Sequence, residues 1–308
     1  MSTETDRAPV AVARVKSASR VVVRAHAKIN LDLRVLGRMP DGYHELRTVF
    51  QALALHDTLT VTRTRGPFTL TGAGEAMPLD RTNLVWRAAD ALWRAAGRSG
   101  DPRGARVHVE KRIPAQAGLG GGSSNAAAAL RGLCRVWGLR LAPRDLARLA
   151  AGIGADVPFF LVGGTALGLG RGDRLFPLPD LPRRTVVIAR PAFGVSTAEA
   201  YAWLASERAG QPVCPAGAPD WLDLSVSLAG CVNDLEPAVE RRHPGIAAVR
   251  DVLAGAGAEL ARMSGSGSAV FGLFRSRAAA TRAVRELRRR GVAALLTATA
   301  PAGRTPAL

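Results

Sequence analysis

The amino-acid sequence predicts an α+β fold in two layers, split into two domains. Three observations lead there. Alternating, β-branched stretches come in groups, so the strict strand–helix–strand alternation of a parallel sheet is missing. Stretches with apolar residues at helical spacing lie between those groups. The chain has 308 residues, 47% hydrophobic and 22% charged, which is enough for one large or two medium cores. The expected division is a flexible tail over 1–20, a first domain over 21–170, a second over 171–300 and a short tail over 301–308.

Each element has its own signal. "RVVVRAHAKINLDLRVLG", from Arg20 on, alternates and reads as one or two strands. "MPDGYH" contains Pro40, Asp41 and Gly42, the chemistry of a turn. "TVFQALALHDTLTVTRT" reads as a strand pair broken near His56 and Asp57. "TNLVWRAADALWRAAG" is a helix, capped by Thr82 or Asn83 and ended by Gly97. "ARVHVEKRIP" is a strand that Pro114 stops. A glycine-rich loop then leads into a helix from about Ser123 to Trp137, and "APRDLARLAAGIG" is another. In the second half "GGTALGLGRGDRLFPL" reads as a hairpin and "RRTVVIARP" as a strand. "STAEAYAWLA" is a helix capped by Ser196 or Thr197, and 207–222 is a Gly/Pro-rich loop. "GIAAVRDVLAGAG" is a helix and "AELARMSGSGSAVFGLF" a strand, glycine turn and strand. "SRAAATRAVRELRRRG" is a helix and "VAALLTATA" a last strand.

The formal net charge of +17 suits nucleic acid, anionic lipid or small anions. Lysine occurs only at Lys16, Lys28 and Lys111; the rest of the 42 basic residues are arginine. They are scattered, with short clusters such as Arg288, Arg289 and Arg290, which reads as a solvated basic surface or as a polyanion patch. Cys134, Cys214 and Cys231 are far apart and odd in number, which argues for a reducing, cytoplasmic setting and against a disulfide framework. The five histidines form no HxxxH or HxH pair, so no protein-bound metal site is expected. No apolar run reaches the ~18 residues of a membrane helix. Arg14, Lys16 and Arg20 interrupt any signal-peptide core, so no membrane association is expected.

The chemistry starts at "PAQAGLGGGSSNAAAAL", residues 114–130. A dinucleotide fingerprint needs a third glycine where Ser123 stands, and a Walker loop needs a lysine that is absent. The glycines still let backbone N–H groups converge on an anion, and the helix behind them adds its positive end. The bland alternative is a linker with a helix cap. Phosphoryl transfer on such a loop needs a cation and a carboxylate from elsewhere. "AHAKINLDL" places Lys28, Asn30 and Asp32 on one face of a strand, either as an electrostatic device or as an edge-strand charge. "GADVPFFLVGG" sets Asp156 among apolar residues, either as a paired functional carboxylate or as a turn cap. "MSGSGSAVFGLF" is a glycine turn that closes over a ligand or is a plain hairpin.

Together these stretches resemble the galactokinase–homoserine kinase–mevalonate kinase–phosphomevalonate kinase (GHMP) superfamily. "AKINLDL", "DGYHEL", "GADVPFF" and "MSGSGSAVFGLF" narrow the resemblance to the kinases of 4-diphosphocytidyl-2-C-methyl-D-erythritol, over about Arg24 to Thr297. The resemblance implies a two-domain GHMP kinase fold, an N-terminal, ATP-binding, ribosomal-protein-S5-like domain followed by a C-terminal ferredoxin-like α/β sandwich domain. It implies ATP-dependent phosphorylation of the substrate's 2-hydroxyl with Mg²⁺, in non-mevalonate isoprenoid biosynthesis, by a monomer or homodimer. Asp156 would be the general base, and Lys28 would orient it and stabilise the transferring phosphoryl group. Pro114, Ala115, Gln116, Ala117, Gly118, Leu119, Gly120, Gly121, Gly122, Ser123 and Ser124 would wrap the ATP phosphates; a fixed protein ligand for the metal is not readable, Ser123 and Ser124 being the candidates. Tyr43 would stack on the cytosine, His44 would hydrogen-bond it, and Tyr201 would close its other face. Asn30 would contact substrate or help order the Lys28–Asp156 pair. A kinase of another small alcohol such as homoserine, or a basic RNA-binding protein, are the alternatives; "DGYH" and the scarcity of aromatics speak against them.

Overall fold

A computed structural model describes residues 11–208 and 228–303. They form two compact units, each assembled from separate stretches of chain. Of the described residues, the first takes 11–25, Asp57–Lys111 and Gly122–Pro158; the second takes His26–His56, Arg112–Gly121, 159–208 and 228–303. Two long strands, β2 (Arg20–Arg38) and β3 (His44–Pro67), contribute residues to both.

In the first unit, β1 (Val12–Arg14) pairs antiparallel with β6 (Leu139–Leu141). Val15 N donates to Gly138 O and Ala18 N to Arg135 O, at 2.9 Å each. The expected tail over 1–20 is therefore hydrogen-bonded from residue 12, because its V-A-R alternation finds an open edge; residues 1–10 lie outside the described part. Thr58–Arg63 of β3 pairs antiparallel with β5 (Arg103–Lys111), and β4 (Thr69–Gly74) pairs parallel with β5. Helices α1 (Leu84–Ala95), α2 (Gly121–Trp137) and α3 (Pro143–Ile153) complete this unit. The Asn83 side chain caps α1, accepting from Val85 N. Along α2 the alanine run is buried, and Gly132 lets the helix approach Val61, whose Cγ2 would lie 2.5 Å from an added Cβ.

β3 is continuous for 24 residues, not broken at His56–Asp57 as the sequence suggested. Neither residue is a glycine or proline, so nothing turns the chain. What changes there is the partner. Leu46–Gln51 pairs with β7 (Thr165–Gly170), whereas Thr58–Arg63 pairs with β5.

In the second unit β7 forms the expected hairpin with β8 (Arg174–Leu178). A separate antiparallel sheet has the order β10 (Leu260–Met263), β11 (Val270–Phe274), β9 (Thr185–Arg190), β12 (Ala293–Ala298). It is buried on both faces, as the alternation of β9 demands. Val187 and Ala189 join a core with α5 (Thr197–Glu207), α6 (Glu236–Arg242), α7 (Gly245–Gly255) and α8 (Arg277–Arg289). Val186 and Ile188 join another with Ala27, Ile29, Leu31, Ile113, Ala117 and Leu119. The glycine-rich loop is thus anchored by its own apolar residues. A short α4 (Phe159–Val162) follows Pro158. Most of the loop expected over 207–222 lies outside the described residues, with Glu207 ending α5; of the tail over 301–308, only 301–303 is described.

Candidate functional site

Within the second unit Lys28, Asn30 and Asp32 occupy alternate positions of β2 and are buried, at 4%, 3% and 4% exposure, so Lys28 is no edge-strand charge. Lys28 Nζ donates to Asn30 Oδ1 at 2.7 Å, and Asn30 Nδ2 donates to Thr48 Oγ1 at 2.8 Å. The Thr48 hydroxyl donates in turn to the Asp32 carbonyl at 2.7 Å. Asn30 therefore has both ends of its amide engaged, and it holds the ammonium in place. The Asp32 carboxylate serves the scaffold: it accepts from Arg34 Nε, Arg47 Nη1 and Val232 N.

The glycine-rich loop lies directly on this strand. Lys28 N donates to Leu119 O at 3.0 Å. Gly118 has φ +70°, and a Cβ there would stand 2.0 Å from Ser264 O. Gly120 has φ +68°, and its Cβ would stand 2.7 Å from Phe160 Cζ and 3.0 Å from Lys28 Cγ. Only glycine satisfies both the backbone conformation and the contacts. Ala117 and Leu119 point into the core, so what they offer a ligand is backbone. Pro114 is buried, Ala115 and Gln116 are exposed, and Gln116 is itself in the left-handed region at φ 51°.

The loop runs without interruption into α2. In the first unit Ser123 is half-buried near the start of that helix, and Ser124 and Asn125 are buried with Ser124 Oγ and Asn125 Oδ1 lacking hydrogen-bond partners. An orphaned hydroxyl in the first turn of a helix, preceded by glycines with no Cβ to obstruct an anion, fits a phosphate group or a phosphate-bound cation. Among the described residues no group of three or more His, Cys, Asp or Glu could hold a metal ion, so a cation here would need phosphate oxygens as ligands. Asp156, also in the first unit, is half-buried in the turn between α3 and α4.

The "MSGSGS" turn closes on Lys28 from within the second unit. A Cβ on Gly265 would lie 3.3 Å from Asn30 Oδ1 and 3.4 Å from Lys28 Nζ. Ser264 Oγ donates to Gly118 O at 3.0 Å. This turn is held by residues that sequence reasoning missed. Asn233 Nδ2 donates to both Met263 O and Gly265 O at 2.8 Å, and its Oδ1 accepts from Leu235 N at 3.0 Å. Met263 N donates to Glu236 Oε2 at 2.5 Å. The only signal in the sequence was the pair of polar residues in "NDLE", Asn233 and Glu236, which the fold buries to 4% and 5% exposure. Burial pushes the Glu236 carboxyl above its usual range, against the bonds from Met263 N and Arg250.

The aromatic residues of "DGYH" sit on the turn between β2 and β3. Tyr43 is 54% exposed, with the Arg171 guanidinium carbon 3.9 Å from its ring centroid. His44 stacks on Tyr201, at 4.4 Å between centroids and 19° between planes. Tyr201 comes from α5, whose Ser196–Glu199 capping box fixes its first turn. The structure thus brings His44 and Tyr201 together, and gives Tyr43 a different neighbour. Burial, and then the charge of Arg38, hold the His44 imidazole below its ordinary pKa.

Comparison with known proteins shows the family. Residues 83–164 match the family described as GHMP kinases N terminal domain, and 216–293 match GHMP kinases C terminal. A 4-diphosphocytidyl-2-C-methyl-D-erythritol kinase of Solibacter usitatus is 44% identical, covering 85% of this chain and 84% of its own. One from Pelotomaculum thermopropionicum is 42% identical over 91% of this chain and 98% of its own. A crystal structure of 4-(cytidine 5'-diphospho)-2C-methyl-D-erythritol kinase superposes with a TM-score of 0.73 at 38% identity, covering 91% and 99% of the two chains. Homoserine kinase from Cytophaga hutchinsonii shares the fold, with a TM-score of 0.70 at 19% identity over 92% of this chain and 96% of its own. The fold is the two-domain α+β GHMP kinase fold, and the chain belongs to the 4-diphosphocytidyl-2-C-methyl-D-erythritol kinase family.

Proposed function

We propose that this protein transfers the γ-phosphoryl group of ATP to the 2-hydroxyl of 4-diphosphocytidyl-2-C-methyl-D-erythritol, giving the 2-phosphate and ADP, in non-mevalonate isoprenoid biosynthesis. The observation that carries this reading is the buried Lys28 ammonium, ordered by Asn30 and approached closely by two glycine turns, at Gly120 and Gly265. Such a cation stabilises charge on a transferring phosphoryl group, and its low-polarity surroundings strengthen the effect.

Asp156 takes the proton of the attacking hydroxyl as the new P–O bond forms and the bond to the β-phosphate bridging oxygen breaks. Residues 114–124 wrap the phosphates, those after Pro114 offering backbone N–H groups, with Ser123 and Ser124 adding hydroxyls. Mg²⁺, when bound with ATP, supplies charge neutralisation on the phosphates. Tyr43 stacks on the cytosine, His44 hydrogen-bonds it as the neutral imidazole, and Tyr201 bounds its other side. The N-terminal, ATP-binding domain is 21–170 and the C-terminal domain is 171–300. The setting is cytoplasmic, in keeping with two buried free thiols at Cys134 and Cys231.

Purified protein with ATP, Mg²⁺ and the cytidine diphosphate substrate should release ADP. Activity on homoserine with none on this substrate would sink the reading. Asp156→Asn should lower kcat by about 10²- to 10⁴-fold, and Lys28→Ala by about 10²- to 10³-fold, with ATP affinity retained.

A further inference from the structure

We propose that Arg171 is a positioning residue for base recognition: it backs one face of Tyr43 and leaves the opposite face for the pyrimidine. The inference rests on the reading that Tyr43 stacks on the base.

An aromatic ring that is more than half exposed at the tip of a turn has little of its own packing to hold it. Tyr43 is such a ring, and three connections compensate. The Arg171 guanidinium carbon lies 3.9 Å from the ring centroid, within the range of a stacked cation–π contact. The same guanidinium forms an ion pair with the Asp41 carboxylate. The other Asp41 oxygen accepts from the Tyr43 backbone N–H at 3.0 Å. Asp41 thus fixes the main chain of Tyr43 and the cation on its ring at once. The bond from Tyr43 N–H and the pairing with Arg171 hold the Asp41 carboxyl below its usual range. Met39 N donates to Tyr43 O at 2.7 Å and closes the turn.

Arg171 is itself placed by glycines on either side. Gly170 and Gly172 have φ of +69° and +89°, in the tight connection between β7 and β8. A planar, delocalised guanidinium suits this task better than an ammonium: it lies flat on a ring and still presents an edge to a carboxylate. A ring held on one side by a flat cation has one free face, and its side chain is already ordered before substrate arrives, which removes an entropic cost from binding.

The test is steady-state kinetics at saturating ATP with the cytidine diphosphate substrate varied. Arg171→Ala should raise KM about fivefold with kcat within about twofold, the size of a lost exposed cation–π contact plus its ordering effect. Arg171→Lys should raise KM nearly as much, because the charge remains and the plane is gone. Arg282→Ala, which removes an exposed arginine from α8, should change neither constant and controls for net charge. A lowered KM in Arg171→Ala would mean that the guanidinium stands where the base belongs, and would overturn the inference. An unchanged KM, or full retention by Arg171→Lys, overturns it as well. Tyr43→Ala separates the two levels: if it raises KM while Arg171→Ala does not, only the role of Arg171 fails. If Tyr43→Ala leaves KM alone, base stacking on Tyr43 fails and takes the inference with it.

Discussion

At Gly118 the backbone oxygen of Ser264 stands 2.0 Å from where a Cβ would be, on a residue with φ +70°. Neither neighbour is the end of a flexible side chain, so Gly118→Ala must move the loop or the "MSGSGS" turn. The strain alone costs about 1–3 kcal/mol, and ATP titration should show weakened binding in whatever protein remains folded. Asn233 works at the same scale. Its amide makes three hydrogen bonds that fix Gly265 beside Lys28 and Asn30. Asn233→Ala should lower kcat about tenfold or more while leaving KM for ATP nearly unchanged. In a Lys28→Ala background it should add little, since groups acting as a unit are non-additive; a full additional loss would mean that Asn233 serves stability only. For His44 the sign follows from burial. Burial, and then the charge of Arg38, hold its folded pKa below that of an ordinary histidine, so the unfolded chain takes up the proton first as pH falls. The imidazole is therefore neutral at and above neutral pH, where substrate KM should stay flat, and KM should rise only on the acid side. An NMR titration of the ring would check it.

Among the elements, α5 joins stability to recognition. Ser196 and Glu199 close a reciprocal capping box, and Tyr201 follows on the second turn against His44. Ser196→Ala should cost about 1 kcal/mol, read as a lower melting temperature, and should raise KM for the cytidine substrate more than for ATP. If KM does not move, Tyr201 is not the second wall of the base site. β2 shows how one strand serves two purposes. Ala27, Ile29 and Leu31 face the core, while Lys28 and Asn30 between them face the glycine turns. Strand alternation made that division readable in advance, and the same rule put Asp32 beside them, where three donors claim it for the scaffold.

For the whole molecule, the described cysteines are deeply placed, and burial pushes Cys134 up to about 12 and Cys231 up to about 11, from 9.0 for an ordinary thiol. Folded pKa values above the unfolded ones mean that this contribution to stability is complete below pH 9 and is lost as pH rises through 11 to 12. Urea midpoints should be steady from pH 7.5 to 9 and should then fall, and a Cys134→Ala, Cys231→Ala variant should fall less. Thiol reagents should label both positions only on unfolding.

Much of this was legible in one dimension because its causes are local. Glycines at 118–122, a turn at Pro40–Gly42 and caps at Asn83 and Ser196 report backbone conformation directly. Lys28, among so few lysines and so apolar a context, marked itself as unusual, and its burial bears that out. The continuity of β3 was not legible, because a strand that changes partner looks like a strand that ends. Nor was Asn233, more than 200 positions from the lysine whose surroundings it shapes. Composition and periodicity decide which residues form an element and which face is apolar. Hydrogen bonds between distant backbone segments have no periodic trace, so only folding in three dimensions decided which polar side chains hold the site and which hold the scaffold.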